Sequence, residues 1–502
     1  MSFDDIDLDI RTQEVLLAAS NHDLDALKPF LRVQGGANVQ DPETGFTPLH
    51  AAIAACGHAS QHIANGNTIS TDGPIYGTTN GHSHESAETK DEDEDEEVDI
   101  EKAKATVKEL FLSGAIWNDL DMHNETPGCL AWRLGQKELY ELVVEAGVRA
   151  ELLMNLIGGY ERLPDDDDEE DGEDGEEDAD TTVNDKKPTN TDALANIAHS
   201  QPALNPEPSQ HPDVTSETYL ASNLIFTPSR LLDASSNGVM MSWETPIMEL
   251  TAKLLAPSPG LRILNIGFGM GIVDRLFAAT DPAAHHIIEA HPDVIARLRS
   301  APTSGREAEA EAGIGESAVE DNFAFFGSDW LQKGEGRNVL HEGKWQDIVP
   351  KLLEEEMEFD VIYFDTFGED YSQLKTFFTE YVVGLLAPDG RFGFFNGLGA
   401  DRRVCYDVYC RVVELDLCDA GLDVEWTDVD VDMAEGEEEM QDGAGGEGYQ
   451  GLGKEGEGEW KGVKRRYWTL EKVRTDLYPP TRCLLYQLTT FQYRLPICRF
   501  LG

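Results

Sequence analysis

The stretch LRILNIGFGMGIVD, residues 261–274, decides the fold class of the C-terminal half. A strand-like apolar run leads directly into Gly267, Gly269 and Gly271, and a helix-compatible run follows. Glycines permit a tight turn and let a ligand approach the backbone, while the N-terminus of the following helix offers free N–H groups. The glycine loop alone does not identify the ligand, because a nicotinamide-binding Rossmann unit has a similar glycine pattern.

Strand and helix signals alternate after this stretch. The strand candidates are residues 262–266, 286–289, 338–341, 359–364 and 391–395, and the helix candidates between them include residues 294–299 and 371–386. Strands that alternate with helices indicate an α/β fold with a doubly wound, parallel sheet. We also predict that residues 220–255 are helical and that residues 423–431 and 463–470 form a terminal strand pair.

Polar residues at the strand ends narrow the choice of ligand. Glu289 ends the second strand, where a ribose diol would be held, although dinucleotide-binding folds share that feature. The segment GKWQD, residues 343–347, follows the third strand, and Asp365 ends the fourth. An acid or amide after the third strand and a carboxylate after the fourth are the usual methyltransferase layout, with the Trp345 face available to adenine. We therefore favour a class I (Rossmann-like) methyltransferase domain over a dehydrogenase.

The N-terminal part carries a repeat signature. Residues 12–53 are predicted to form helix, loop and helix, and TPLH at residues 47–50 opens a helix, with Thr capping it and Pro tolerated in the first turn. A degraded copy follows at residues 107–148, with ETPG at residues 125–128 in the place of TPLH. The pattern resembles ankyrin repeats, whose helical stacks bind partners. An unrelated helical domain with a chance TPLH is the alternative.

The charge of the chain is strongly negative. It has 96 Asp and Glu against 39 Lys and Arg, a formal net charge of -57, with acidic runs at residues 91–97, 165–180 and 435–459. Blocks of like charge repel one another and bury nothing, so these runs are predicted to be solvated linkers. Nucleic acid is a poor partner because phosphate binding needs clustered Lys and Arg. A basic protein is favoured instead.

The cysteine spacing and the apolar runs indicate the cellular compartment of the protein and whether it associates with a membrane. The 7 cysteines form no CxxC pair, and the N-terminal segment lacks the apolar core of a signal peptide. No apolar run approaches the roughly 20 residues that a membrane span needs. We expect a cytoplasmic protein, with nuclear entry left open, that is a monomer, binds no membrane and holds no metal.

The predicted domain organisation follows from these shifts in composition. An all-α ankyrin-repeat-like domain spans residues 1–160 with a disordered acidic insert at about 57–100, and an acidic linker spans residues 161–212. The methyltransferase domain spans residues 213–502, with insertions at about 301–328, 433–459 and 473–492. We expect the insertion at 301–328 to loop away from the sheet edge, clear of the motifs.

Five motifs in order carry a resemblance to a known family. They are MMSWETPIM at 240–248, GFGMGI at 267–272, IIEAH at 287–291, GKWQDI at 343–348 and FDTF at 364–367. Together they resemble guanidinoacetate methyltransferase over most of residues 219–400. With the ankyrin-like part and the closing YRLPICR at 493–499, the chain resembles the fungal type IV protein arginine methyltransferases, which methylate the δ (N5) nitrogen of arginine.

The resemblance implies S-adenosylmethionine as the cofactor and a set of contacts to it. These contacts are Tyr219, Met248, Gly267, Phe268, Gly269, Met270, Gly271, Ile272, Glu289, Ala290, His291, Lys344, Trp345 and Asp365. It also implies substrate contacts at Met240 and Glu244, and Glu244 with Asp365 as the catalytic pair. The chemistry of Met248 and Met270 suits a site beside a sulfonium, although core packing is the alternative for both.

A guanidinium has no lone pair to offer a methyl donor, so the site must hold the cation and take up a proton. Two carboxylates can do this, because each can accept a pair of hydrogen bonds from the N–H groups of the planar guanidinium. The favoured function is monomethylation of arginine N5 in a ribosomal or other basic protein. The alternatives are a methyltransferase for small guanidino compounds and an ankyrin scaffold with a non-catalytic cofactor-binding domain.

Overall fold

The computed structural model describes residues 3–57, 99–158, 214–300, 337–430, 460–470 and 492–502, together with residues 322, 323, 325, 326 and 330. All or most of the predicted insert at 57–100, the linker at 161–212 and the insertions at 301–328, 433–459 and 473–492 lie outside these ranges. Within the ranges, every helix is too short or too polar to cross a lipid bilayer.

The N-terminal part is a stack of helices arranged in two rows. The helices are α1 (Phe3–Ser20), α2 (Leu24–Leu31), α3 (Pro48–Ala54), α4 (Ile100–Leu112), α5 (Pro127–Arg133) and α6 (Lys137–Gly158). Along one row α1 contacts α3 and α3 contacts α5, and along the other α2 contacts α4 and α4 contacts α6. Each helix pair therefore packs on the next.

The two TP dipeptides open α3 and α5. The Thr47 hydroxyl accepts the backbone N–H of His50 at 3.4 Å, and the Thr126 hydroxyl accepts that of Cys129 at 3.1 Å. A side-chain oxygen at this position satisfies an N–H group that has no partner within the helix. The buried His50 ring also bonds to the Glu125 carbonyl at 3.1 Å, which joins the two motifs. The predicted helix starts are confirmed.

Residues 220–255 were predicted to be helical throughout, and this prediction is wrong in part. A three-stranded antiparallel sheet forms first, from β1 (Ile225–Phe226), β2 (Arg230–Leu232) and β3 (Gly238–Met241). The Asp233 carboxylate accepts the backbone N–H of Ser235 and of Asn237, each at 2.8 Å, and so stabilises the turn between β2 and β3. Local side-chain bonds of this kind compete with a helix.

The catalytic half is built on a seven-stranded sheet. Helix α7 (Ser216–Leu220) precedes the small sheet and α8 (Thr245–Leu255) follows it. The remaining elements are β4 (Arg262–Ile266), α9 (Ile272–Ala278), β5 (Ala284–Glu289), α10 (Pro292–Ser300), β6 (Asn338–Glu342), α11 (Trp345–Glu354), β7 (Phe359–Phe364), α12 (Tyr371–Thr376), β8 (Leu386–Phe394), α13 (Arg403–Asp419), β9 (Leu422–Asp430) and β10 (Gln492–Phe500). Helix α12 continues through a π-helical stretch, Phe377–Val382, and a last turn, Val383–Leu385.

The strand order of this sheet is β6-β5-β4-β7-β8-β10-β9, with β4 to β8 parallel and β10 antiparallel to both β8 and β9. In the dinucleotide-binding order the sixth strand lies beside the fifth. Here the last strand of the chain separates them. The predicted α/β, Rossmann-like fold is confirmed, and this order counts against the dehydrogenase alternative.

The predicted partner of the strand at 423–431 is wrong. Strand β9 pairs with β10, for example Val429 with Tyr493, and not with residues 463–470. Residues 463–470 have no regular secondary structure and cross one wall of the cleft described below. The predicted insertion at 473–492 ends one residue too late, because Gln492 already belongs to β10.

The helical stack packs on α13 of the catalytic half. Val404, Val408 and Val412 of α13 belong to the same buried core as the helices of the stack. The Asp407 carboxylate accepts a hydrogen bond from the Tyr140 hydroxyl of α6 at 2.5 Å. The two parts therefore share one apolar core and a buried polar contact.

Candidate active site

A cleft of about 1290 Å³ opens at the carboxyl ends of β4, β5, β6 and β7. The strand ends supply Ile266, Glu289, Gly343 and Asp365 to its lining. Ligands of open α/β sheets bind at this edge because the loops that follow parallel strands converge there. The small sheet and residues 465–467 close the cleft on one side.

The glycine loop after β4 approaches other backbone very closely. Gly267 has a φ of 93°, and a Cβ there would lie 1.9 Å from the carbonyl oxygen of Asp365. Gly269 has a φ of 55°, and a Cβ there would lie 2.9 Å from the Met240 side chain. Both positions therefore require glycine, for conformation and for space.

The Glu289 carboxylate stabilises the glycine loop through hydrogen bonds to its backbone. One carboxylate oxygen accepts the backbone N–H of Phe268 at 2.9 Å and of Gly269 at 3.3 Å, and the other accepts the N–H of His291 at 2.6 Å. Burial raises the pKa of Glu289, and the three backbone donors oppose that rise. Glu289 is thus both a cleft residue and the support of the loop.

A second carboxylate organises the turn after β6. Glu369 accepts hydrogen bonds from Trp345 Nε1 at 3.0 Å, from Gln346 Nε2 at 2.9 Å and from the Thr366 hydroxyl at 2.7 Å. The Trp345 ring is 3% exposed and packs edge-on against Phe364, with the ring centroids 5.8 Å apart. The cleft therefore has a fixed polar corner beside a buried aromatic ring.

Glu244 lies on the opposite wall, in the turn that joins β3 to α8. It is 2% exposed and lines the cleft. Its Oε1 accepts the backbone N–H of Met241 at 2.8 Å and a hydrogen bond from the Tyr467 hydroxyl. A buried carboxylate needs such donors, and these two bonds hold the Glu244 side chain in one orientation.

Asp365 faces the same cleft with fewer donors. The residue is partly exposed, but its Oδ2 is buried and has no hydrogen-bond partner among the described residues. Burial, and to a smaller extent the Asp274 carboxylate, raises the pKa of Asp365 to about 7. A carboxylate with an unpaired oxygen in a cleft is prepared to accept a donor from a ligand.

Asp274 belongs to a fully buried cluster next to the loop. Its carboxylate bonds to His285 Nε2 at 2.9 Å and accepts the Asn265 side-chain amide at 2.7 Å. Asn265 also donates to the carbonyl of Gly267 at 2.8 Å. The cluster therefore fixes the glycine loop from within the sheet.

Comparisons with known proteins identify the family. The family model described as guanidinoacetate N-methyltransferase matches residues 223–308. The protein arginine N-methyltransferase 2 of Gibberella zeae is 46% identical over 477 residues, 91% of this chain and 90% of that protein. The protein of the same name from Emericella nidulans is 43% identical over 506 residues, 99% of this chain and 98% of that protein.

The chain belongs to the protein arginine N-methyltransferase 2 family. The resemblance predicted from the ordered motifs is thereby confirmed, including the catalytic half's likeness to guanidinoacetate methyltransferase.

In this member of the arginine N-methyltransferase 2 family, the cleft brings together most of the predicted site residues. Those that line it are Tyr219, Met240, Glu244, Gly267, Gly269, Glu289, Ala290, Lys344, Trp345 and Asp365. Their roles as cofactor or substrate contacts stay predictions.

Six predicted cofactor contacts do not line the cleft: Met248, Phe268, Met270, Gly271, Ile272 and His291. Met248 and Met270 are fully buried in the hydrophobic core, as the core-packing alternative expects. The His291 ring instead bonds to the Tyr219 carbonyl at 3.1 Å and packs against the Tyr219 ring. It supports a cleft residue from behind.

The expectation that the insertion at 301–328 stays clear of the motifs is wrong at its C-terminal end. Phe323 packs on Phe268 with the ring centroids 5.3 Å apart, and the Asn322 side-chain amide donates to the Met270 carbonyl at 3.2 Å. Phe323 is apolar enough to join the core, which draws this end of the insertion onto the glycine loop.

Two cleft residues of this family member were missed in the sequence. Glu369 lies close to Asp365 along the chain, so its position after β7 was an available signal. Tyr467 had no such signal, because it lies 223 positions from its partner Glu244.

Proposed function

We propose that this chain transfers one methyl group from S-adenosylmethionine to the δ (N5) nitrogen of arginine residues in a protein substrate. The observation that carries the proposal is the placement of two carboxylates, Glu244 and Asp365, in one cleft with the glycine loop. Family membership supports the reaction class.

The described residues fit the methyl donor. S-adenosylmethionine, when bound, supplies a methyl group on a positively charged sulfur. The close approach of Gly267 to the Asp365 carbonyl leaves no room for a side chain at position 267, so a ligand can lie directly on the backbone there. Glu289, at the end of β5, and Lys344, after β6, line the cleft and would hold its ribose and adenosine parts.

The carboxylate pair accounts for the choice of nitrogen. Each carboxylate can accept a paired hydrogen bond from the planar guanidinium fork. If Glu244 and Asp365 hold the two terminal nitrogens, the substituted nitrogen is the one left to face the methyl donor. Positioning of this kind lowers the barrier by fixing the reacting nitrogen in line.

The reaction also requires loss of a proton from the guanidino group. A guanidinium nitrogen that receives a methyl group would have to give up its proton to a residue of the chain. Asp365, whose pKa is raised to about 7, is a stronger base than an ordinary aspartate. With one oxygen on a terminal nitrogen and the other on the N5–H, it would accept this proton. Glu244, whose Oε1 accepts bonds from Met241 and Tyr467, would keep the cation in place.

The test is incubation of the chain with methyl-labelled S-adenosylmethionine and a fungal lysate. Label in protein supports the proposal, and label confined to small molecules supports the small-guanidine alternative. Cofactor binding without transfer supports the scaffold alternative and contradicts the proposed activity.

We further propose that α1 to α6 are an ankyrin-like stack that recruits a basic protein substrate. The two rows of helices, the Thr-capped starts of α3 and α5 and the formal net charge of -57 support this role. Reversing exposed charges with Glu14→Lys and Glu43→Lys should raise KM for the protein substrate while cofactor affinity stays unchanged. An unchanged KM would contradict recruitment by the stack.

The proposed enzyme is a cytoplasmic monomer. Sedimentation of the purified chain and imaging of a tagged chain test the two statements. A stable dimer would contradict the first, and a purely nuclear signal would contradict the second.

A further inference from the structure

Residues 460–470 lie across one wall of the cleft and bond to both of its sides. The backbone N–H of Gly238 in β3 donates to the Arg465 carbonyl at 3.0 Å. The backbone N–H of Thr469 donates to the carbonyl of Ala400, in the loop that follows β8, also at 3.0 Å. The segment is therefore held at both ends, and Tyr467 between these bonds lines the cleft.

Aromatic packing fixes the Tyr467 ring. It stacks on Trp243, with ring centroids 6.1 Å apart and an interplanar angle of 24°. It meets Trp460 edge-on at 5.2 Å and Phe395 at 6.4 Å. A phenylalanine ring would make the same contacts, so packing does not account for the hydroxyl.

The hydroxyl of Tyr467 donates to Oε1 of Glu244, the oxygen that also accepts the Met241 N–H at 2.8 Å. Trp243 and Glu244 are consecutive residues of one 3-10 turn, Ser242–Glu244. The ring of Tyr467 thus packs on one residue of this turn while its hydroxyl bonds to the next. The two donors on a single oxygen set the direction of the carboxylate plane.

A paired hydrogen bond to a guanidinium depends on that direction. Catalytic groups need to be held within about 10–20° of the productive orientation, and bonds to an ionised group are stronger than neutral ones. Loss of the Tyr467 donor would loosen the orientation of the Glu244 carboxylate.

We propose that Tyr467 is a positioning residue that orients Glu244 for a guanidino substrate. The inference rests on the proposed function, in which Glu244 holds the terminal nitrogens. Tyr467 acts through Glu244, and its effect disappears when the Glu244 carboxylate is removed.

The test measures binding of the peptide Gly-Gly-Arg-Gly-Gly to the full chain saturated with S-adenosylhomocysteine, by calorimetry. Tyr467→Phe should weaken peptide binding roughly tenfold, the effect of one lost hydrogen bond. Affinity for S-adenosylhomocysteine should not change. In the Glu244→Gln background, Tyr467→Phe should cause no further loss, because the carboxylate that it orients is absent.

Tyr409→Phe is the matched control. The Tyr409 hydroxyl donates to the Glu151 carboxylate at 3.1 Å, and Tyr409 does not line the cleft. The Tyr409→Phe substitution removes a tyrosine-to-carboxylate hydrogen bond away from the cleft, so peptide binding should stay at the wild-type level.

Wild-type binding by Tyr467→Phe would overturn the inference, and so would an equal loss in the wild-type and Glu244→Gln backgrounds, which indicates a general structural effect. If the wild type binds the peptide but does not methylate arginine, the proposed function fails while the role of Tyr467 in binding stands. If the wild type does not bind the peptide, both fail.

Discussion

Glu244 and Asp365 would act on the same guanidino group from unlike surroundings. Glu244 is held by Met241 and Tyr467, whereas Oδ2 of Asp365 has no partner among the described residues. One carboxylate is therefore already oriented, and the other gains its donor only from a ligand. This difference supports the proposed roles, in which Glu244 holds the cation and Asp365 accepts the proton.

Glu244→Gln and Asp365→Asn should each lower kcat/KM on the order of a hundredfold, the scale of losing one electrostatic contact to the transition state. Cofactor affinity should fall less in Glu244→Gln, because Asp365 is a predicted cofactor contact as well as a substrate contact, whereas Glu244 is predicted to contact only the substrate. Steady-state kinetics with a cofactor titration measures both effects. Full activity in both variants would rule out the carboxylate pair.

The raised pKa of Asp365 predicts two pH effects. Asp365 must be ionised to bind the guanidinium, so kcat/KM should fall as the pH drops through about 7. The protonated form is favoured in the folded chain, so its contribution to stability is present below the ordinary pKa of 3.8 and is lost as the pH rises through about 7. Thermal unfolding of Asp365→Asn should therefore show a Tm gain over wild type that grows from pH 5 to pH 8. A constant Tm difference would contradict this.

At the same scale, sequence reasoning found residues that sit in ordered motifs at strand ends. Glu244 and Asp365 are of this kind. Met248 was less certain, because a sulfur side chain suits both a sulfonium and a core, and the structure buries it in the hydrophobic core. Tyr467 could not be predicted from the sequence as a site residue, since its partner Glu244 is distant along the chain.

At the scale of elements, strands β4 to β7 were predictable because each is apolar and ends at a turn or a polar residue. The turn at residues 233–237 was missed, since its hydrogen bonds to Asp233 are local and leave no periodic signal. The pairing of β9 with β10 joins strands that residues 431–491 separate along the chain, so it could not be predicted from adjacent sequence.

The Thr47 cap makes a prediction about α3. Thr47→Ala should reduce the free energy of unfolding by about 1 kcal/mol, because an N–H at the start of α3 loses its acceptor. Chemical denaturation measures the change. Thr47→Ser keeps the hydroxyl and should retain most of the stability. Equal loss in the two variants would show that the methyl group of Thr47, and not its cap, is what matters.

At the scale of the whole molecule, the helical stack and the catalytic half form one packed body. The α13 face that carries Val404, Val408 and Val412 is buried by the stack. Arg494 of β10 forms an ion pair with Asp407 at 3.0 Å, and its neighbour Tyr493 accepts the Asn396 N–H at 2.7 Å beside the cleft loop. The contacts of Asp407, Arg494, Tyr493 and Asn396 thus link the helical stack to the loop after β8 that lines the cleft.

Asp407→Ala should destabilise both parts together. It leaves the Tyr140 hydroxyl, Arg403 and Arg494 without their shared carboxylate, at a cost of about 1–3 kcal/mol. Thermal unfolding followed by tryptophan fluorescence and by circular dichroism should show one transition, shifted to lower temperature. Two separate transitions, with the catalytic half unchanged, would contradict a shared core.

The position of the transferred methyl group tests the central claim most directly. Labelled substrate protein is hydrolysed to amino acids, and the methylated arginine is fragmented in a mass spectrometer to locate the methyl group. Two carboxylates that hold the terminal nitrogens predict N5-methylarginine as the product. A methyl group on a terminal nitrogen would contradict the assigned roles of Glu244 and Asp365.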